Sequence, residues 1–135
     1  MGLAMTKDGK LLYAATRTGN TVAVIDTATD KMVRKIDIPG HPARLLITPD
    51  QKHLLVSLID AGDVAVVETA THRVVHRFHA GANVEGMTTD AAGRFGYVSA
   101  QGDNKVVKFS LGGWKPVLEV KTDSRPDPLA ILGEP

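Results

Sequence analysis

The sequence predicts an all-β chain of repeated four-stranded antiparallel units, and three observations carry that prediction. Tyr13, Leu55 and Tyr97 recur at a constant spacing of 42 residues, and at that offset the chain lies over itself without a gap. Within each unit, short blocks of β-branched and other apolar residues are separated by Gly, Asn and Asp turn signals. No window carries a helical apolar stripe of useful length. Four short strands in a unit of about 40 residues is the pattern of a β-propeller blade. The 135 residues hold about three such blades.

The units run over residues 2–43, 44–85 and 86–127, and a fourth begins at 128–135. Within them "DGKLLYAA" from Asp8 aligns with "DQKHLLVS" from Asp50 and "AGRFGYVS" from Ala92. "NTVAVIDTATDKMVRKI" from Asn20 aligns with "GDVAVVETATHRVVHRF" from Gly62 and "NKVVKFSLGGWKPVLEV" from Asn104. The start of the fourth copy, "PLAIL" from Pro128, falls over "RLLIT" from Arg44. Turn signals at Asp8-Gly9, Gly19-Asn20, "DTATD" and Pro39-Gly40 separate the strands. One partial propeller domain over residues 1–135 is expected.

The period also decides how "HRVVHRFH" from His72 is read. On a helix, three histidines spaced by four and three would share a face and suggest a metal or haem site. Here the stretch aligns with "DKMVRKID" and "WKPVLEVK", the fourth and outermost strand of a blade. His72 then occupies the preceding turn, and His76 and His79, an odd number apart, point to opposite faces. No metal site is expected.

Composition narrows the function classes. Lys plus Arg number 16 against 15 for Asp plus Glu, so no basic stripe is available to neutralise phosphates. Aromatic residues are only 4% of the chain, too few for a row of base-stacking platforms, and nucleic-acid binding is disfavoured. There is no cysteine, hence no disulfide, thiolate nucleophile or zinc ribbon. No apolar run is long enough to span a bilayer, and "MGLAMTKDGK" lacks the apolar core of a signal peptide. "GANVEGMT" lacks the Lys-Ser or Lys-Thr of a phosphate loop, and "DAGD" lacks the alternating ligands of a calcium loop. Ser57, Ser99, Ser110 and Ser124 stand in no Gly-x-Ser-x-Gly elbow.

The stretch "DGKLLYAATRTGNTVAVIDTATDKMVRKIDIPGHP" resembles the repeat of YVTN-type β-propellers, which share a WD40-like arrangement of blades. The resemblance covers the whole chain, strongly in the first unit, well in the second and weakly in the third. There Ser110 stands where the other units have Asp26 and Glu68, and "SLGGW" replaces "DTATD". The resemblance implies a larger ring, usually of about seven blades, and a periplasmic, extracellular or surface-layer setting. It also implies kinship with quinoprotein dehydrogenase-like and haem d1-like propellers, so haem d1 or quinone association enters by resemblance only. The repeated Asp26, Glu68, Thr27, Thr29, Thr69 and Thr71 have a simpler reading as side chains that accept hydrogen bonds from the backbone of the following turn.

Loops that enter the innermost strands form one mouth of a propeller channel. Here they are "IPGHPARL", "HAGANVEGM" and "KTDSRPDPL". His41 aligns with Asn83 and Arg125, Ala43 with Glu85 and Asp127, and Arg44 with Gly86. A frame that repeats while its loop chemistry varies is how such scaffolds hold ligands. The candidate binding residues are therefore His41, Arg44, Asn83, Glu85, Arg125 and Asp127. His41 is also the one candidate for an axial haem ligand.

These features favour a non-catalytic binding or scaffold module that presents its mouth to a small molecule or protein partner. The alternative is a portion of an enzyme, either a lactonase-like hydrolase or a quinoprotein or haem d1 oxidoreductase component. Three blades leave two apolar faces open, because rings close with roughly four to eight. The expected occupants of those faces are the remaining blades of a longer chain, with self-assembly as the other route.

Overall fold

The computed structural model describes residues 2–16, 18–124 and 126, and three four-stranded antiparallel sheets follow one another along the chain. The first contains β1 (Leu3–Met5), β2 (Leu11–Thr16), β3 (Thr21–Asp26) and β4 (Lys31–Asp37). The second contains β5 (Pro42–Ile47), β6 (His53–Leu58), β7 (Asp63–Glu68) and β8 (Arg73–His79). The third contains β9 (Val84–Thr89), β10 (Phe95–Ala100), β11 (Lys105–Ser110) and β12 (Lys115–Lys121). In each sheet the strands lie side by side in chain order, as a blade requires. A single 3-10 turn, Gln101–Asp103, is the only helical element among the described residues.

The repeat extends to backbone geometry. Gly9, Gln51 and Gly93 have positive φ, as do Asn20, Gly62 and Asn104. So do Asp30, His72 and Trp114, and so do His41 and Asn83. Each of these sets keeps the 42-residue spacing, so every connection type repeats a left-handed residue at the same point to reverse or redirect the chain. Asn and Gly tolerate that conformation best. The "SLGGW" turn keeps the geometry of its counterparts despite its changed sequence: Trp114 has φ 52°, against 56° at Asp30 and 58° at His72.

The apolar core lies between sheets rather than within one. Tyr13, Val22, Val24 and Ile36 of the first blade pack with Leu45, Leu54, Val56, Leu58 and Val67 of the second. Leu55, Val64, Val66 and Phe78 of the second blade pack with Val84, Val98, Val107, Phe109 and Trp114 of the third. Alternation along β6 and β7 therefore sends apolar side chains to both faces of the middle blade, and five of the six β6 residues are buried. This explains why "HLLVSL" reads as a nearly unbroken apolar run. The outermost strands β4, β8 and β12 are mostly exposed.

In the second and third blades a side chain from the β3–β4-type turn latches the blade to the preceding one. His72 reaches back to the first blade, where its Nε2 lies 3.1 Å from the Tyr13 hydroxyl and its ring meets the Tyr13 ring edge-on. Trp114 reaches back to the second blade and packs edge-on against His53, with ring centroids 5.0 Å apart. His72 is a turn residue, as its alignment predicts. His79 Nδ1 lies 2.9 Å from an Asp63 oxygen, while the exposed His76 sits opposite Val66 on the strand. The three histidines thus serve three separate surroundings.

The motif carboxylates and threonines divide their work. Asp26 accepts the Ala28 backbone N–H at 2.8 Å, as expected of a turn carboxylate. Thr27 and Thr69 differ from expectation. Their hydroxyls donate across to carbonyls of the preceding hairpin loop, Thr27 to Gly9 and Thr69 to Gln51. The reason is proximity, since each threonine follows the strand paired directly with that loop's strand.

Candidate functional site

At one end of the blades lie the connections that enter β5 and β9 and the β6–β7 and β10–β11 turns. His41 and Asn83 hold equivalent left-handed positions there, with φ of 70° and 52°. The Asn20 side chain accepts the His41 backbone N–H at 3.0 Å, and Asp103 accepts that of Ala82 at 2.9 Å. The carbonyls of His41 and Asn83 each accept a backbone N–H from the next hairpin, at Ile59 and Gln101. A repeated backbone clamp therefore fixes the entry into each inner strand.

Both inner strands then bulge. The pairing of β5 with β6 shifts register between Pro42 and Leu45, and that of β9 with β10 shifts between Val84 and Met87. The fully buried Ser57 and Ser99 satisfy backbone groups that the bulges displace. Ser57 accepts the Arg44 N–H at 3.1 Å, and Ser99 donates to the Gly86 carbonyl at 3.4 Å. These serines have a structural task and stand in for ladder hydrogen bonds.

Arg44 and Glu85 occupy the two bulges, and there the inner strands of adjacent blades bring them together. Arg44 Nε donates to Glu85 Oε2 at 3.2 Å, with the Glu85 side chain 14% exposed and that of Arg44 33%. A bulge re-aims the side chains it carries, which is why residues 41 positions apart meet here. His41 lies on the same connection, and its Nδ1 is 3.1 Å from Asp60 Oδ2. Its Nε2 is enclosed by protein and has no hydrogen-bond partner among the described residues. That arrangement does not fit an axial haem ligand, which needs a ring nitrogen facing open space.

Of the six sequence candidates, the structure brings Arg44 and Glu85 into contact and sets His41 and Asn83 at matching entry positions. Arg125 and Asp127 lie outside the described residues. Sequence reasoning missed a second set of charges at the same end. Asp63 accepts from Arg77 Nε at 2.7 Å and lies beside His79, while Arg77 Nη1 also donates to the Pro39 carbonyl of the preceding connection. In the third blade Lys105 donates to Glu119 at 2.8 Å. Asp63 aligns with Lys105 and Arg77 with Glu119, so the pair recurs with its charges exchanged. That exchange in register was the available signal. Burial pushes the Asp63 carboxyl upward, but its hydrogen bonds from Arg77 and His79 outweigh this and hold it below the usual carboxylate range.

The opposite end carries shallow clefts between blades. One of about 240 Å³ is lined by Thr48, Asp50, His53, Gly93 and Trp114. The Asp50 carboxylate there accepts the Lys52 N–H and the Thr48 hydroxyl, which hold its pKa low. No group of three or more His, Asp or Glu arranged to hold a metal ion is found among the described residues. No described helix is long and apolar enough to cross a membrane.

No protein-family model matches the chain, and no curated protein matches it. Solved structures do. Hydrazine synthase of Kuenenia stuttgartiensis superposes with a TM-score of 0.86 at 22% identity, over 90% of this chain and 35% of that one. The WD40 repeats of RRP9 superpose with a TM-score of 0.80 at 14% identity, over 88% of this chain and 37% of that one. U3-55K gives a TM-score of 0.80 at 14% identity, over 88% and 38%. At these identities the likeness concerns the fold, and the chain spans little more than a third of the length of each of these structures. Blades, repeat and neighbours agree on the β-propeller fold.

Proposed function

We propose that this YVTN-type propeller module is a non-catalytic binding unit whose ligand, a polar small molecule or a protein partner, docks at the channel end formed by His41, Arg44, Asn83 and Glu85. The observation that supports it most is the Arg44–Glu85 pair, built by two bulged inner strands and reached from a connection of varied chemistry. A guanidinium beside a carboxylate can receive a ligand carrying both an acceptor and a donor group. Binding is favoured over catalysis because His41, the one imidazole among these four residues, has one nitrogen engaged by Asp60 and the other enclosed. A general base needs a free nitrogen within reach of substrate.

Amide chemical shifts followed during titration with a panel of amino acids, sugar acids and short peptides test the reading. Shifts clustered at residues 40–44 and 82–86, and abolished by Glu85→Gln, are the expected result. Shifts centred on the Trp114 cleft, or lactone turnover sensitive to Glu85→Gln, would overturn it.

A further inference from the structure

The cleft that Trp114 lines, between the second and third blades, has a counterpart one repeat earlier, and the two are built differently. Between the first and second blades the cleft is bounded by Lys7, Asp8, Leu11, Tyr13, Gln51 and Thr69. There the Gln51 side chain crosses from blade to blade. Its Oε1 accepts the Lys7 backbone N–H at 2.7 Å, and its Nε2 donates to the Thr48 carbonyl at 3.3 Å. Between the second and third blades Pro49 stands at the position of Lys7, and Gly93 at that of Gln51. Proline has no N–H to donate and glycine no side chain to accept it, so both halves of the bridge are missing together. Backbone conformation is not the reason, because Gln51 and Gly93 share a left-handed φ, of 64° and 71°. A Cβ on Gly93 would lie 3.7 Å from the Pro49 ring, an ordinary contact, so the position has room for a side chain.

Three further positions around the cleft change as well. His53 replaces Leu11, Leu111 replaces Thr69, and Trp114 replaces the latch His72. Pro49, Leu111 and Trp114 give the cleft apolar walls, and the His53 ring stands edge-on to Trp114. The exposed Asp50 supplies the one carboxylate among the described lining residues. Its hydrogen bonds from the Thr48 hydroxyl and the Lys52 N–H both fall on Oδ1, and no described residue bonds Oδ2. Lys52 and His53 lie near this carboxylate, and neither makes an ion pair with it. The free volume is about 240 Å³. A cavity of about 150 Å³ admits a benzene ring, so this one has room for a ring with a short side chain.

From the missing bridge and the uncommitted carboxylate oxygen we infer that this cleft binds a small organic ammonium carried on a flat apolar ring. The ring packs against Pro49, Leu111 and Trp114, and the ammonium donates to Asp50 Oδ2. A carboxylate on the ligand would be repelled by Asp50, so the acids that suit the channel end are poor ligands here. The first cleft has an equivalent carboxylate in Asp8, but there Gln51 spans the space that the ring would need. The inference is independent of any ligand at the channel mouth, which lies at the opposite end of the blades.

Trp114 is the only tryptophan of the chain, so its fluorescence reads this cleft directly. Titration with phenethylamine at pH 8 should change that fluorescence saturably. Phenethyl alcohol keeps the ring and lacks the charge, and it should bind about tenfold more weakly. Asp50→Asn keeps an acceptor for Thr48 and Lys52, and it should weaken the amine about tenfold while leaving the alcohol unchanged. Gly93→Gln combined with Pro49→Lys recreates the bridge of the first cleft and should abolish binding, with urea unfolding as the check that the variant folds. The comparison of the two ligands needs no variant, so it decides the question even if the bridged protein does not fold. No saturable response to the amine, or equal affinities for amine and alcohol, would overturn the inference. Amine binding undiminished by Asp50→Asn and by the restored bridge would overturn it as well.

Discussion

His72 illustrates how one side chain can be legible in kind and illegible in role. Its alignment with Asp30 and Trp114 identifies it as a turn residue, but its partner Tyr13 lies 59 residues away in another blade. Only the packing of one sheet on the next brings them together. Burial, with the nearby Arg34 charge, lowers the His72 pKa from its ordinary 6.5, and burial raises that of Tyr13. Between the lowered value and 6.5 the unfolded chain binds more protons at this site than the folded one, so stability rises with pH through that window. The contribution is complete above about pH 6.5 and declines as the pH falls. Urea unfolding at pH 7.5 and pH 5.5 should therefore show a smaller loss of stability for His72→Asn than for wild type. Equal losses would assign the pH dependence to other groups. Arg44 and Glu85 were legible as variable residues on a repeated frame. Their pairing was not, because it depends on two bulges that leave no mark in the 42-residue alignment.

At the level of strands, the repeat predicts which residues face each other but not how a pair shares its volume. Leu54 lies opposite Val67 in the second blade, and the aligned pair in the third is Gly96 opposite Phe109. A Cβ on Gly96 would come within 2.3 Å of the Phe109 ring, so the ring fills the space that Leu54 fills elsewhere. Gly96→Leu alone should destabilise the protein by about 1–3 kcal/mol through overpacking. Gly96→Leu combined with Phe109→Val recreates the second-blade pair and should recover most of that loss in chemical denaturation. Equal stability of the single and double variants would contradict the compensation. The outer strands behave differently: Leu118 on β12 is 54% exposed, so Leu118→Ala should cost less than about 0.5 kcal/mol, whereas Leu55→Ala in the buried face should cost about 2–5 kcal/mol.

At the scale of the molecule, the core formed by the described residues belongs to pairs of blades, and none of the three described blades has a core of its own. Stability is then a sum over interfaces between neighbours, as in other repeat arrays. A peptide spanning residues 42–79, the complete second blade, should show no cooperative unfolding transition by circular dichroism, because both of its partners are missing. Fold class and strand order were readable from the 42-residue period, since that period alone sets turns, strands and their alternation. The latches and the exchanged Asp63–Arg77 and Lys105–Glu119 pairs were not, because their meaning rests on which blade faces which. The central claim is that blades dock in series through one repeated face and one latch. A double-mutant cycle on Tyr13→Phe and His72→Asn tests it most directly. A coupling energy of about 0.5–3 kcal/mol between these residues is the predicted result. Additive effects, with no coupling across the first interface, would contradict it.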